Sequence, residues 1–148
     1  MVEILDTTLR DGTQGEGVSL SVDDKVAIAR RLAAFGIHLI EGGWPGSNPK
    51  DAEFFQRMRG VDLGAARLAA FGATRRKGLA PEEDPSVLAL LEAETPVVVL
   101  FGTSWTPHVF EASATSLEDK LRIIDETATP FPPPARRLRA IVATCAMN

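Results

Sequence analysis

The feature that most constrains this chain is a repeat of apolar runs starting near residues 3, 37, 67 and 96, each followed by helical punctuation. Val2–Leu9 is apolar and β-branched and reads as a strand, broken by a turn at Asp11-Gly12. Ser21 then fits an N-cap, with Asp23 and Asp24 in the first turn, where the helix dipole favours acids. Val22, Val26, Ala29, Leu32 and Ala33 share one helical face, and Gly36 fits a left-handed C-cap. Ile37–Glu41 is a second strand, closed by Gly42-Gly43. Asn48-Pro49 opens a helix to about Arg59, with Pro at its first position. Arg67–Phe71 is the third strand, followed by a loop over Gly72–Gly78. Asp84-Pro85 opens a helix ending near Glu94. Pro96–Phe101 is continuously apolar, as expected for a parallel strand buried on both faces. Ser116 caps a fourth helix carrying Leu117, Leu121, Ile123 and Ile124.

A spacing of roughly 30 residues is one βα unit. Four in succession make either a doubly wound sheet or part of a barrel. No Gly-x-Gly-x-x-Gly follows the first strand, which argues against the dinucleotide-binding version. The polar residues follow a rule. Arg10, Asp11, Gln14, Glu41, Arg75 and His108 fall at the carboxyl ends of the expected strands, where a (β/α)8 barrel builds its catalytic face. A complete barrel takes about 250 residues and eight units; this chain has 148 residues and supplies four. Read as a barrel, this is an α/β chain whose residues 1–127 are the first four units of a TIM barrel, with strands one and four left as edges. After Thr127 the prolines of Thr-Pro-Phe-Pro-Pro-Pro forbid a continuing helix. Residues 128–148 form a divergent Pro/Arg-rich tail, for which disorder is one alternative and a weak strand at Ala140–Ala143 another.

Composition excludes several classes. The net charge is −4 with scattered basic residues, so nothing asks for nucleic acid. Acidic and basic residues mix along the chain, against a membrane-surface helix. No window reaches the apolar length of a span, and the N-terminus shows no signal-peptide pattern. Cys145 is the single cysteine, which suits a reducing, cytoplasmic location.

Arg10-Asp11 is the chemical centre of the sequence. A carboxylate at a strand end can bind a hard divalent cation, and the adjacent guanidinium can stabilise a developing oxyanion. On spacing alone the pair also fits a charged turn closed by Gly12. The run Asp6-Thr-Thr-Leu-Arg-Asp-Gly-Thr-Gln14 resembles the signature that opens the 2-isopropylmalate, homocitrate and citramalate synthases, relatives of 3-hydroxy-3-methylglutaryl-CoA lyase. Gly15–Val18, Ile40–Asp51 (Ile-Glu-Gly-Gly-Trp-Pro-Gly-Ser-Asn-Pro-Lys-Asp), Phe71–Gly78 and Ser104-Trp105 with His108 are similar to the (R)-citramalate synthase branch. The resemblance covers about Val2 to Thr127.

The resemblance implies a Claisen-type condensation of acetyl-CoA with pyruvate and water, giving citramalate and CoA, a reaction of isoleucine biosynthesis. It implies a divalent metal (Mg, Mn or Zn) held by Asp11 with two histidines of a later His-x-His. It gives Arg10 the enolate or ketone oxygen and puts Gln14 beside metal and substrate. Glu41 either orients Arg10, binds substrate or caps a strand end. Arg75 is the best placed of Arg75, Arg76 and Lys77 to bind a substrate carboxylate or CoA phosphate; a solvated loop is the plainer reading for Arg76 and Lys77. His108 is a candidate for proton transfer, or structural; His38 reads as structural. Trp44 and Trp105 wall a pocket or simply pack. Phe71, Leu100 and Phe101 shape a small apolar pocket or belong to the core.

The chain departs from the family pattern in one decisive respect: it contains no His-x-His, and its two histidines are His38 and His108. Asp11 alone makes a poor metal site, because divalent ions need several ligands. A truncated or frame-disrupted product, or one piece of a split protein, is the expectation, with self-association or pairing with a second barrel half covering the edges. Two alternatives stand beside the completed enzyme. One is a non-catalytic remnant or interaction subunit. The other is a 2-isopropylmalate or homocitrate synthase acting on another 2-oxoacid.

Overall fold

In the computed structural model, residues 2–103, 116–131 and 137–143 are described. The sheet has five parallel strands in the order of the chain: β1 (Leu5–Asp6), β2 (Leu39–Gly43), β3 (Arg67–Ala73), β4 (Val97–Thr103) and β5 (Arg137–Ala143). Between them run α1 (Val22–Phe35), α2 (Pro49–Met58), α3 (Pro85–Glu92) and α4 (Leu117–Ala128). The sheet is a truncated (β/α)8 barrel.

Each helix begins on the expected cap. Ser21 and Asp24 form a reciprocal capping box on α1, and Gly36 ends it with φ 95°. Asn48, Asp84 and Ser116 accept backbone N–H bonds at the starts of α2, α3 and α4. The strand ends are where the sequence reading slips. β1 is two residues long, because the Thr7 carbonyl turns inward to accept from the amides of Arg10, Asp11 and Gly12. The Asp6 carboxylate accepts from the Thr8 amide at the same bend. β4 is no edge either. Val97 to Thr103 pair with Arg137 to Ala143 over seven positions, so the strand within residues 128–148 is longer than Ala140–Ala143. The sheet edges among the described residues are β1 and β5.

Both faces of the sheet are apolar, as parallel strands require. Ile40, Leu68, Ala70, Val98 and Leu100 face the helix layer with Phe54, Phe55, Met58, Val87 and Leu90. Leu39, Ala69, Phe71, Val97 and Val99 face the other way, with Leu5, Trp44 and Phe101 packed on them. Leu100 thus belongs to the helix-side core, while Phe71 and Phe101 lie on the inner face. At the amino ends of the strands, Arg67 is paired with Glu3, and His38 Nδ1 accepts from the Ile4 amide at 3.2 Å. These contacts are structural.

Phe54 is fully buried, packs edge-on against Phe55 at 5.3 Å, and faces Gly42, where a Cβ would lie 2.4 Å from its ring. Phe54→Ala removes that filling and is expected to cost about 3–5 kcal/mol. The fall in the urea midpoint, at unchanged m-value, measures it.

Candidate active site

β1 ends in a bend that delivers Arg10 and Asp11 to the carboxyl end of the sheet, and a 3₁₀ turn over Gly12–Gln14 follows. The bend is fixed by the Thr7 carbonyl and by the Thr13 hydroxyl, which donates to the Arg10 carbonyl at 2.7 Å. Arg10 is then held from three sides. Its Nε donates to Glu41 Oε1, its NH1 donates to Asp11 Oδ1 at 3.0 Å, and its guanidinium lies 4.2 Å above the Phe71 ring. Trp44 meets Phe71 edge-on at 5.5 Å. This is a two-carboxylate clamp on an aromatic base, and it leaves the NH2 group of Arg10 without a partner among the described residues.

The two carboxylates differ. The Asp11 side chain is 61% exposed. The Glu41 side chain is fully buried, and its Oε2 has no hydrogen-bond partner among the described residues. Burial pushes the Glu41 carboxyl above its ordinary range; the Arg10 bond and charge pull it back only in part, and the charge of Asp11 adds to the rise.

Arg10, Thr13, Gln14, Trp44, Ser47 and Asn48 line a cleft of about 460 Å3, together with Lys25, Lys50 and Asp51. Gln14 therefore lies beside Arg10. Arg75 does not. It is buried, its NH1 donates to the carbonyls of Arg76 and Leu79 at 3.1 and 3.0 Å, and its NH2 pairs with Glu126 of α4. Its amide is also tied to the Thr127 hydroxyl at 3.0 Å. These bonds dock α4 on β3 and keep the side chain off the Arg10 cluster. Arg76 and Lys77 are exposed. His108, Ser104 and Trp105 lie outside the described residues.

The described residues do not form a metal site: among them no three of His, Cys, Asp and Glu converge. Asp11 offers one exposed carboxylate and nothing more. Sequence reasoning missed a second feature of the cleft, the buried pair of Lys25 with Asp51 at 2.5 Å. A signal was present. Lys25 interrupts the apolar face of α1 between Val22 and Ala29, where a lysine needs a partner.

Residues 1–104 match the model of the HMGL-like family. The chain belongs to that family. Five relatives named (R)-citramalate synthase are 47–56% identical to it. The one from Aquifex aeolicus is 56% identical over 126 residues, which is 85% of this chain and 24% of that protein. The chain spans about a quarter of the length of these relatives. A 2-isopropylmalate synthase from Thermosynechococcus vestitus is 46% identical over 78 residues, 51% of this chain and 15% of the relative. The crystal structure of the HMG-CoA lyase from Brucella melitensis superposes with a TM-score of 0.67 at 20% identity, over 95% of this chain and 48% of that one. That likeness carries the fold. The similarity in sequence runs to the citramalate synthase branch.

The raised Glu41 carboxyl gives a signed prediction. The folded chain holds this proton more tightly than the unfolded chain does. The resulting stability is present at acid pH and lost as pH rises through the folded-state value. Glu41→Gln removes the titration. Urea midpoints of the two proteins, compared from acid to neutral pH, are expected to show the original chain losing ground to the variant as pH rises.

Proposed function

We propose that this chain supplies the acyl-condensing corner of an (R)-citramalate synthase, acting once a complete barrel is assembled around it. One observation carries the reading. Arg10 is fixed by Glu41, Asp11 and Phe71 at the carboxyl end of β1, with one edge of its guanidinium open beside the cleft. That segment lies inside residues 1–104, which match the HMGL-like family model.

The reaction removes a methyl proton from acetyl-CoA, joins that carbon to the ketone carbon of pyruvate, and leaves an alkoxide that takes up a proton. Water then cleaves the thioester, releasing CoA and citramalate. In the condensation, negative charge develops on oxygen twice, at the enolate and at the alkoxide. Arg10 is suited to both, because a preorganised donor needs no rearrangement when the charge appears. Glu41 and Asp11 keep its fork in one orientation, and Phe71 supports its face. Gln14 adds a polar contact at the cleft wall. Asp11 would supply one ligand to a divalent ion, the remaining ligands coming from outside this chain, and such an ion would polarise the ketone. Cytoplasmic isoleucine biosynthesis is the setting this reading implies. No described helix is long and apolar enough to cross a membrane.

Two other readings have an observation each. A non-catalytic remnant stands on the sequence, whose two histidines, His38 and His108, form no His-x-His. The 2-isopropylmalate synthase match favours a different 2-oxoacid.

The test supplies the chain with the remaining segment of a citramalate synthase, acetyl-CoA, pyruvate and Mg2+ or Mn2+, and follows free CoA with a thiol reagent. CoA release is expected only from the mixture and only with pyruvate. Arg10→Ala is expected to lower kcat by about 10²–10³-fold, and Asp11→Ala to abolish turnover. A folded stoichiometric complex that releases no CoA supports the remnant. Release driven by 2-oxoisovalerate or 2-oxoglutarate instead of pyruvate supports the other substrate. Full activity in Asp11→Ala refutes the ligand role.

A further inference from the structure

The Arg10 clamp depends on an irregularity in β2. Glu41 pairs with Ala69, yet Gly43, not Gly42, pairs with Ala70. Gly42 is therefore an extra residue, a β-bulge, and bulges re-aim the side chains that follow them. A regular strand alternates faces, so Glu41 and Trp44 would point to opposite sides. Here both serve the inner face. Glu41 reaches Arg10, and Trp44 packs on Phe71 beneath the same guanidinium. Gly42 and Gly43 both turn toward the helices, where added Cβ atoms would lie 2.4 Å from Phe54 and 2.6 Å from the Asp51 carboxylate.

Something must hold the chain at the exit of this bulge. Asp51 Oδ2 accepts from the Trp44 amide at 2.8 Å. Its Oδ1 accepts from Lys25 Nζ at 2.5 Å, and the ammonium lies 5.0 Å from the Phe54 ring centre. Lys25 is 2% exposed and comes from α1; Asp51 comes from the first turn of α2, where Asn48 fixes its amide at 2.8 Å. Gly43, at φ 150°, lets the carboxylate approach the backbone closely. Neither residue touches Arg10.

We propose that Lys25 and Asp51 are positioning residues: through the Trp44 amide, their buried pair holds the Gly42 bulge in the form that sets Glu41 and Trp44 around Arg10 and Phe71. A buried ion pair is poor evidence of a stabilising role, because desolvation offsets most of its attraction. Its use here is geometric. Lys25 orients one oxygen of Asp51, which leaves the other directed at the amide of residue 44. The consequence for turnover rests on the function proposed for Arg10, but the geometry can be read without it.

The experiment compares two double variants of the full chain by ¹⁵N NMR of the Arg10 Nε–H, with urea unfolding as the check on folding. Lys25→Met with Asp51→Asn keeps an oxygen for the Trp44 amide and removes both charges. Lys25→Met with Asp51→Leu keeps the apolar volume and removes the acceptor. The Asn variant is expected to retain a slowly exchanging Arg10 Nε–H, as in the unaltered chain. The Leu variant is expected to unfold cooperatively yet lose that slow exchange. Retention in both variants, or loss in both, overturns the clamp. Loss of the unfolding transition in either variant assigns the pair to general stability and overturns the positioning role as well. Because no outcome is read from activity, inactivity of the assembled barrel leaves this result intact.

Discussion

A carboxylate buried in an apolar sheet needs a cation, and the arrangement of this chain's functional end follows from how Glu41 finds one. Glu41 sits on the inner face of β2, fully buried, and Arg10 is the side chain that reaches it. That bond joins the end of β1 to the middle of β2 where backbone pairing amounts to only two positions, Leu5 with Leu39 and Asp6 with Ile40. It also fixes the height of the guanidinium above Phe71 on β3. Three strands are thus registered at one polar point. One acceptor, Glu41 Oε2, stays unpartnered among the described residues, and burial holds the carboxyl above its ordinary range against the pull of Arg10.

Much of this was legible in the sequence, for local reasons. Caps act within a few residues, so Ser21, Asn48, Asp84 and Ser116 announce their helices. Apolar continuity announces β3 and β4. The Asp6–Gln14 run, a contiguous motif, marks the bend that carries Arg10 and Asp11. The parts that were not legible are nonlocal. The shortening of β1 depends on where the Thr7 carbonyl finds its donors. Membership of β5 in the sheet depends on a register against β4 across 40 positions, Val97 to Arg137, which an Arg- and Pro-rich segment does not advertise. The destination of Arg75 depends on Glu126, 51 residues away. The Gly42 bulge is invisible to a period-two reading, although the Gly42-Gly43 pair hints that the backbone is approached closely there.

The sheet itself is open. β1 and β5 carry its edges among the described residues, and Val2 and Ile4 beside β1 are 84% and 52% exposed. Open parallel edges with apolar flanks invite another chain to pair with them. In the Brucella melitensis lyase the matched region is 48% of the protein. The Arg10 cluster and the open edges belong to one account under the proposed function: the cluster is held in place by this chain's own residues, and the proposal leaves the closing of the sheet to added strands.

That account is tested most directly by native mass spectrometry of the 15.9 kDa chain mixed with the remaining barrel segment of a citramalate synthase. A one-to-one complex that forms at the expense of any self-association is the predicted result. A chain that stays monomeric and indifferent to the added segment would contradict it.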